Sequence, residues 1–223
     1  MNVFDIIGPI MVGPSSSHTA GAARIGKVAR TILGEEPIEA IIDMHGSFAK
    51  TYKGHGTDKA LLAGLMGFEV DDARIRNSLE LAKQKGIKFI FNTVEMGNVH
   101  PNTARINVTG ESGRKVCVQG ASIGGGNIVI TEIDGIEVEF TGNLHTLIVC
   151  HKDTPGIIAS VTNILATAKV NIAYMKVYRT LKGGDAIMVI EADQSIVEEN
   201  INCIKNISDV SSVAIVTPLN EGW

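Results

Sequence analysis

Two histidines stand in short loops of small residues, where an imidazole is open to a ligand. Residues 13–22 read GPSSSHTAGA and carry His18; residues 51–60 read TYKGHGTDKA and carry His55, with Thr57 and Asp58 after it. Each setting predicts a helix N-terminus beside the ring, whose positive end lowers the imidazole pKa and favours the neutral form that a general base needs. The hydroxyls near the first histidine are predicted to hold a carboxylate: Ser15, Ser16, Ser17 and Thr19.

The same residues also have an ordinary structural explanation. Serine and threonine before a helix are common N-caps, worth about 1 kcal/mol, and one hydroxyl suffices for that. A single histidine is more often structural than catalytic. Sequence spacing alone leaves open whether His18 and His55 meet in space.

Composition narrows the class of protein. The chain has 223 residues, 44% of them hydrophobic, and a net charge of −4. No block of like charge stands out, so nucleic acid and anionic membranes are excluded as main partners. The longest apolar runs, such as 38–42 and 186–190, are far shorter than the roughly 20 residues of a membrane helix. The first 13 residues lack the basic region of a signal peptide, so we expect a cytoplasmic protein.

The three cysteines, Cys117, Cys150 and Cys203, are widely spaced and form no CxxC pair. Their odd number argues against a disulfide framework. An iron–sulfur cluster needs three or four thiolates, and two of these cysteines fall in a different predicted domain from the third. We therefore predict buried, inert thiols and no metal ligands in this chain.

The chain divides into two parts with different patterns, and we place the boundary between residues 143 and 144. In residues 1–143, three helices are predicted: TAGAARIGKVARTIL, TDKALLAGLMG and DDARIRNSLELAKQKG. The segment EAIIDMHGSFA is predicted to be a strand with a glycine break, and five further strands are predicted from residue 88 onward. The glycine-rich GASIGGGN leads into a strand, so it is a poor phosphate loop and better suits a bulge or a close approach. Residues 144–223 read strand, helix, strand, strand, helix, strand, which is the ferredoxin-like arrangement. The fold class is α+β.

The second part resembles the ACT domain, a small amino-acid-sensing module. The resemblance rests on DTPGII, which opens a helix, and on VNIAYM in the next strand. It implies an effector site near Asp153, Pro155, Gly156 and Ile157, where helix N–H groups attract a carboxylate, with Asp153 or Thr154 capping the helix. Many such domains only associate with a second copy, and this alternative stays open.

The first part resembles the β subunits of bacterial iron–sulfur-dependent L-serine dehydratases. GPSSSHTAGA, GHGTDKA, HPNTARI and GASIGGG follow each other in that family's order. The resemblance implies conversion of L-serine to pyruvate and ammonia, with a [4Fe–4S] cluster that binds the serine hydroxyl and is ligated by a partner α subunit. It places His18 and His55 in the active site, with His55 favoured to take the α-proton and the serine loop to hold the substrate carboxylate.

Three functions remain to be compared. The first is a dehydratase subunit that is incomplete without its α partner, in which His100 and Asn102 of HPNTARI bind substrate; a Pro-Asn turn before a strand explains these two equally well. The second is a purely regulatory amino-acid-binding subunit without catalytic residues. It gains weight because the first part also resembles the allosteric substrate-binding domain of some phosphoglycerate dehydrogenases, so fold alone does not imply chemistry. The third is a free-standing scaffold.

Overall fold

The computed structural model describes residues 10–218, and the chain divides into two compact units between Gly135 and Ile136. The prediction that the first 13 residues are not a signal peptide concerns residues that lie largely outside the described range. The sequence-based boundary at 143/144 falls later, in the loop after the strand Ile136–Phe140 (β6). Within the second unit, Glu139 of this strand pairs with Lys176, Oε2 to Nζ at 2.7 Å, and donates its N–H to the Tyr178 hydroxyl.

From residue 10 onward, the first unit contains four helices, two short helical turns and five strands. A π-helical turn, Ser16–Ala20, leads directly into α1. In chain order the elements are α1 (Gly21–Leu33), β1 (Pro37–Met44), α2 (Gly46–His55), α3 (Thr57–Leu65), a 3₁₀ turn (Ala73–Asn77), α4 (Ser78–Gln84), β2 (Lys88–Thr93), β3 (Thr103–Gly110), β4 (Lys115–Gly124) and β5 (Asn127–Ile133).

The sheet of the first unit has the strand order β2-β1-β3-β4-β5. Strand β1 pairs parallel with β2, and the remaining neighbours are antiparallel. Alternating residues of β1, among them Ala40, Ile42 and Met44, are fully buried, as expected for a strand with one face toward a core. Helices α1 and α3 pack against each other over this core, and no side chain fits where they cross: a Cβ on Gly64 would lie 2.0 Å from the Ala23 carbonyl oxygen.

One element of this unit differs from the sequence-based prediction. The segment EAIIDMHGSFA does not continue as a strand after its glycine: β1 ends at Met44, and Gly46 begins α2. Gly46 has a φ of +56° and lies against Pro101, where a Cβ would come within 2.6 Å of the carbonyl oxygen. The glycine thus starts a helix because it permits both the backbone conformation and the close approach.

The second unit has the predicted βαββαβ order. After β6 come β7 (His145–Lys152), α5 (Ile157–Thr167), β8 (Ile172–Arg179), β9 (Asp185–Ala192), α6 (Glu198–Lys205) and β10 (Val210–Val216). The four later strands form an antiparallel sheet in the order β10-β7-β9-β8. Its core joins one sheet face to both helices, with Leu147, Met188, Val161, Leu165 and Ile204 fully buried. The α+β fold class is confirmed.

The start of α5 corrects the predicted cap. Neither Asp153 nor Thr154 caps the helix; Gly156 precedes it with a φ of +94°. The Asp153 carboxylate instead accepts from the Gly183 N–H at 3.1 Å and from Arg179 Nη1 at 2.6 Å. These two partners, the Gly183 N–H first, hold the pKa of Asp153 below its usual value. The acid therefore ties the β8–β9 turn to the loop after β7.

Within residues 10–218, no helix combines the length and apolar character needed to cross a membrane.

Candidate active site

The structure brings the two histidines together. The ring centroids of His18 and His55 lie 4.7 Å apart, with the ring planes inclined at 67°. His18 belongs to the π-helical turn, whose cap is Ser15: its Oγ accepts the His18 backbone N–H at 3.2 Å. A second link joins the two loops, because the Thr19 hydroxyl donates to the His55 carbonyl oxygen at 3.2 Å.

The ring of His18 is fixed on both sides by hydroxyls. Its Nδ1 lies 2.9 Å from Ser17 Oγ, and its Nε2 lies 2.9 Å from Ser47 Oγ. The edge of Phe48 packs on the ring at a centroid distance of 5.3 Å. A neutral imidazole has one donor and one acceptor nitrogen, so two hydroxyls of opposite role hold a single tautomer.

The pKa of His18 is lowered, as predicted, although the main cause differs from the one expected. The side chain is only 9% exposed, and burial lowers the pKa because it disfavours the charged imidazolium. The charge that His55 can carry lowers it further. Both influences favour the neutral form of His18.

The predicted setting of His55 is only partly correct. His55 is the last residue of α2 and lies two positions before the start of α3, so it stands between two helices and not simply at a helix start. Its Nδ1 is buried and has no hydrogen-bond partner in the described part of the chain. Unlike His18, it therefore keeps a ring nitrogen that no protein hydroxyl occupies.

His55 lines a cleft of about 510 Å³ in the first unit. The walls come from residues 11–14, Thr19, residues 53–56, Lys59, Ile75 and Arg76. The cleft is large enough for a small polar metabolite and its hydration water. Because His55 reaches it and His18 lies directly behind, this cleft is the candidate active site.

The HPNTARI segment positions α2. The Pro101 carbonyl oxygen accepts the N–H groups of Ser47 at 2.7 Å and Phe48 at 3.4 Å, which satisfies two of the free donors at the helix start. His100 Nδ1 accepts the Asn102 N–H at 3.1 Å, and the Asn102 side chain donates to the Ser122 carbonyl at 3.3 Å. His100 and Asn102 thus form the turn that the sequence offered as an alternative, and their role in binding substrate stays a prediction.

Sequence reasoning missed Ser47 and Phe48, since it read their segment as a strand. The local signal was weak, because His45 precedes α2 without a side-chain cap and the first N–H groups bond to the distant Pro101 carbonyl. The glycine-rich GASIGGGN forms the tip of the β4–β5 hairpin, with the bulge that the glycines suggested. The guanidinium of Arg24, nearly fully buried, donates to the Gly126 carbonyl at 2.6 Å and holds this tip.

The thiols lie apart from this site and from one another. Cys117 is on β4, where burial first and the charge of Glu132 second raise its thiol pKa. Cys150 is on β7 of the second unit, and Cys203 is exposed on α6. Within residues 10–218, no three His, Cys, Asp or Glu side chains gather as metal ligands do. The described residues do not fit an iron–sulfur cluster.

The four residues proposed for an effector have unequal access. Ile157 is buried in the core of the second unit, and Asp153 is engaged with Arg179 and Gly183. Pro155 and Gly156 are exposed. At this loop, Pro155 and Gly156 are thus the residues open to a ligand. Effector binding stays a prediction.

Comparison with known proteins accounts for both units. Residues 2–133 match the family model described as serine dehydratase beta chain, and residues 145–209 match the ACT domain. The chain is 47% identical to the probable L-serine dehydratase, beta chain, of Bacillus subtilis (strain 168), covering 96% of this chain and 98% of that one. It is 42% identical to the L-serine dehydratase, beta chain, of Peptoniphilus asaccharolyticus, covering 88% and 89%.

More distant similarity extends to a different enzyme. A D-3-phosphoglycerate dehydrogenase of Bacillus subtilis (strain 168) is 30% identical over 87% of this chain but only 37% of its own length. The fold is thus shared with a protein of another name. The full-length matches and the family model together decide the assignment: the chain belongs to the serine dehydratase beta chain family and carries an ACT domain.

Proposed function

We propose that this chain is the β subunit of an L-serine dehydratase, which converts L-serine to pyruvate and ammonia together with a partner α subunit. Family membership supports this, and so does one observation in the structure. The two imidazoles lie 4.7 Å apart: His55 lines the cleft, and His18, held by hydroxyls, has a lowered pKa.

His55 is the proposed general base that takes the α-proton of serine. A base must reach its proton directly, and His55 lines the cleft while His18 lies behind it with both ring nitrogens bonded to hydroxyls. A neutral His18 serves this step because proton uptake by His55 then creates one positive charge, not two adjacent ones.

The [4Fe–4S] cluster is proposed to belong to the α subunit. There it would supply a Lewis acid for the serine hydroxyl, a task for which the scattered thiols of this chain are unsuited. This chain contributes the proton acceptor and the binding groups around it. The reaction therefore needs both subunits.

Two further expectations belong to this proposal. The three cysteines are odd in number and widely spaced, which argues against a disulfide framework and supports a cytoplasmic location. The second unit is expected to mediate homo-association, as its ACT fold suggests.

The test is anaerobic co-expression with the α chain and an assay of pyruvate formed from L-serine. His55→Ala should lower kcat by about 10²–10⁴-fold, the usual contribution of a general base. His145→Ala, which changes a histidine of the second unit, is the control and should retain turnover.

The regulatory alternative predicts a different pattern. If His55→Ala and His18→Ala change only the affinity for serine or its cooperativity, with kcat near the wild-type value, the catalytic proposal is wrong. If no α subunit co-purifies with this chain, the third function, a free-standing scaffold, would be favoured.

A further inference from the structure

We propose that Lys53, Lys59 and Arg76 form an anion subsite beside His55 and bind the α-carboxylate of the substrate. This inference rests on the proposed function and adds the group that selects an amino acid by its negative charge.

Three separate elements bring these cations to one cleft. Lys53 lies in the last turn of α2, Lys59 in the first turn of α3, and Arg76 in the 3₁₀ turn 73–77. All three line the cleft that His55 lines. Lys59 is half-buried, while Lys53 and Arg76 are exposed at the cleft. A convergence of cations from three elements requires the tertiary fold and is not a solvated face of one helix.

The charges of these residues are not neutralised by ion pairs. Other cations of the first unit bind carboxylates, as in the pairs Lys27–Glu69 and Arg74–Asp72. Among the described residues, Lys53, Lys59 and Arg76 have no salt bridge, and no Asp or Glu lines the cleft. Lys53 lies over the face of Tyr52, with Nζ 5.7 Å from the ring centre, and interacts electrostatically with Asp58.

The nearest carboxylate does not cancel this positive charge. Asp58 follows the cleft residues in α3, but it is 9% exposed, and its Oδ1 accepts the Lys59 backbone N–H at 2.8 Å. Burial is the largest influence on its pKa and raises it, while the charges of Lys59 and Lys53 act in the opposite direction. One full negative charge on Asp58 would still leave two of the three positive charges uncompensated. The cleft therefore presents excess positive charge to an anion.

The serine loop leaves this role open. Ser17 Oγ is bonded to His18, and Ser15 Oγ accepts the His18 N–H and lies 3.3 Å from Ser17 Oγ. A carboxylate entering the cleft needs strong donors in place of water, and charge-assisted bonds to lysine and arginine are the strongest available. The α-carbon is one bond from the carboxylate, so an anion held here brings its proton toward His55.

The experiment compares L-serine with L-serinamide, whose carboxamide has the same size but no charge. In the co-expressed enzyme, Lys59→Met and Arg76→Met should each lower kcat/KM for L-serine about 10- to 100-fold, chiefly through KM. For L-serinamide they should change kcat/KM less than about 3-fold, because the lost charge has no counterpart there. Lys83→Met, which removes an exposed lysine of α4 paired with Glu80, is the matched control and should behave as wild type.

Equal losses for both substrates would overturn the subsite, since the cations would then act only on folding. Unchanged kinetics with L-serine would overturn it as well. A second experiment separates this inference from the proposed function. The isolated chain is titrated with L-serine and with L-serinamide, and binding is monitored by the ring-proton NMR signal of His55.

A wild-type pair of subunits without turnover would refute the dehydratase function. The subsite would still be supported if L-serine, and not L-serinamide, shifts the His55 signal and Lys59→Met abolishes the shift. No shift with L-serine in the wild-type chain and no turnover would overturn both.

Discussion

Replacing Ser47 by alanine tests whether the pair of hydroxyls really fixes the ring of His18. The substitution removes the hydroxyl oxygen that lies 2.9 Å from His18 Nε2. Because His18 is only 9% exposed, this nitrogen is then left buried without a hydrogen-bond partner. An unsatisfied buried polar group costs about 1–3 kcal/mol. Alanine regains roughly 0.5 kcal/mol through its higher helix propensity, so the net loss in the free energy of unfolding should be about 0.5–2.5 kcal/mol.

The first assay is thermal unfolding of the isolated chain. A loss of this size should lower the Tm by about 1–10 °C. The second is ¹⁵N NMR of the His18 ring, which should report one tautomer in the wild type and a mixture in Ser47→Ala. In the assembled enzyme kcat should fall as well, because the ring beside His55 is no longer held in one orientation.

Two comparisons make the result specific. Ser47→Thr keeps the hydroxyl and should restore the single tautomer and most of the activity. Ser112→Ala, in the exposed turn after β3, removes a hydroxyl that bonds only to Glu35 and to the neighbouring backbone, and should leave the His18 signal unchanged. If Ser47→Ala keeps the wild-type Tm and tautomer, the hydroxyl does not position the ring, and our account of the neutral histidine is wrong.

Two further predictions concern stability. The pKa of His18 is depressed from 6.5, so below about pH 6.5 the unfolded chain binds more protons than the folded one. Above that pH, the free energy of unfolding should therefore not depend on the protonation of this histidine, and below it the free energy of unfolding should fall as the pH decreases. Urea unfolding measured between about pH 7.5 and 5.5 should show that His18→Asn depends less steeply on pH than the wild type. Gly46→Ala forces a side chain into a φ of +56° and against the Pro101 carbonyl, and urea unfolding should show a loss of about 1–3 kcal/mol. Gly67→Ala has a φ of +80° but open space around it, so its loss should be the smaller of the two, and equal losses would exclude the clash.

The pairing of the motifs could not be predicted from the sequence, although each motif could be recognised. GPSSSHTAGA and GHGTDKA mark two loops with a histidine, but loop spacing does not report distance. The 4.7 Å contact depends on α1 and α3 crossing closely, and this crossing depends on glycine where a Cβ would reach a carbonyl oxygen. Neither the ring contact nor the close helix crossing can be recognised from the spacing of apolar residues along the sequence.

Misreading α2 had the largest consequence for the site. Apolar residues before Gly46 suggested a strand that continues, whereas the Pro101 carbonyl, from a segment 55 residues later, accepts the first N–H groups of a helix. Ser47 and Phe48 were therefore absent from the candidate site. A long-range cap of this kind overrides local propensity, which is a weak preference.

The sequence by itself determined the α+β class, the βαββαβ order of the second unit and the two histidines worth attention, because periodicity, turn residues and motif order are local properties of a chain. Only the tertiary structure decided that the two rings touch, that Ser17 and Ser47 hold His18 from opposite sides, and that three unpaired cations share a cleft with His55. Those features arise from side chains of different elements, and their distances depend on how the helices pack on the sheet.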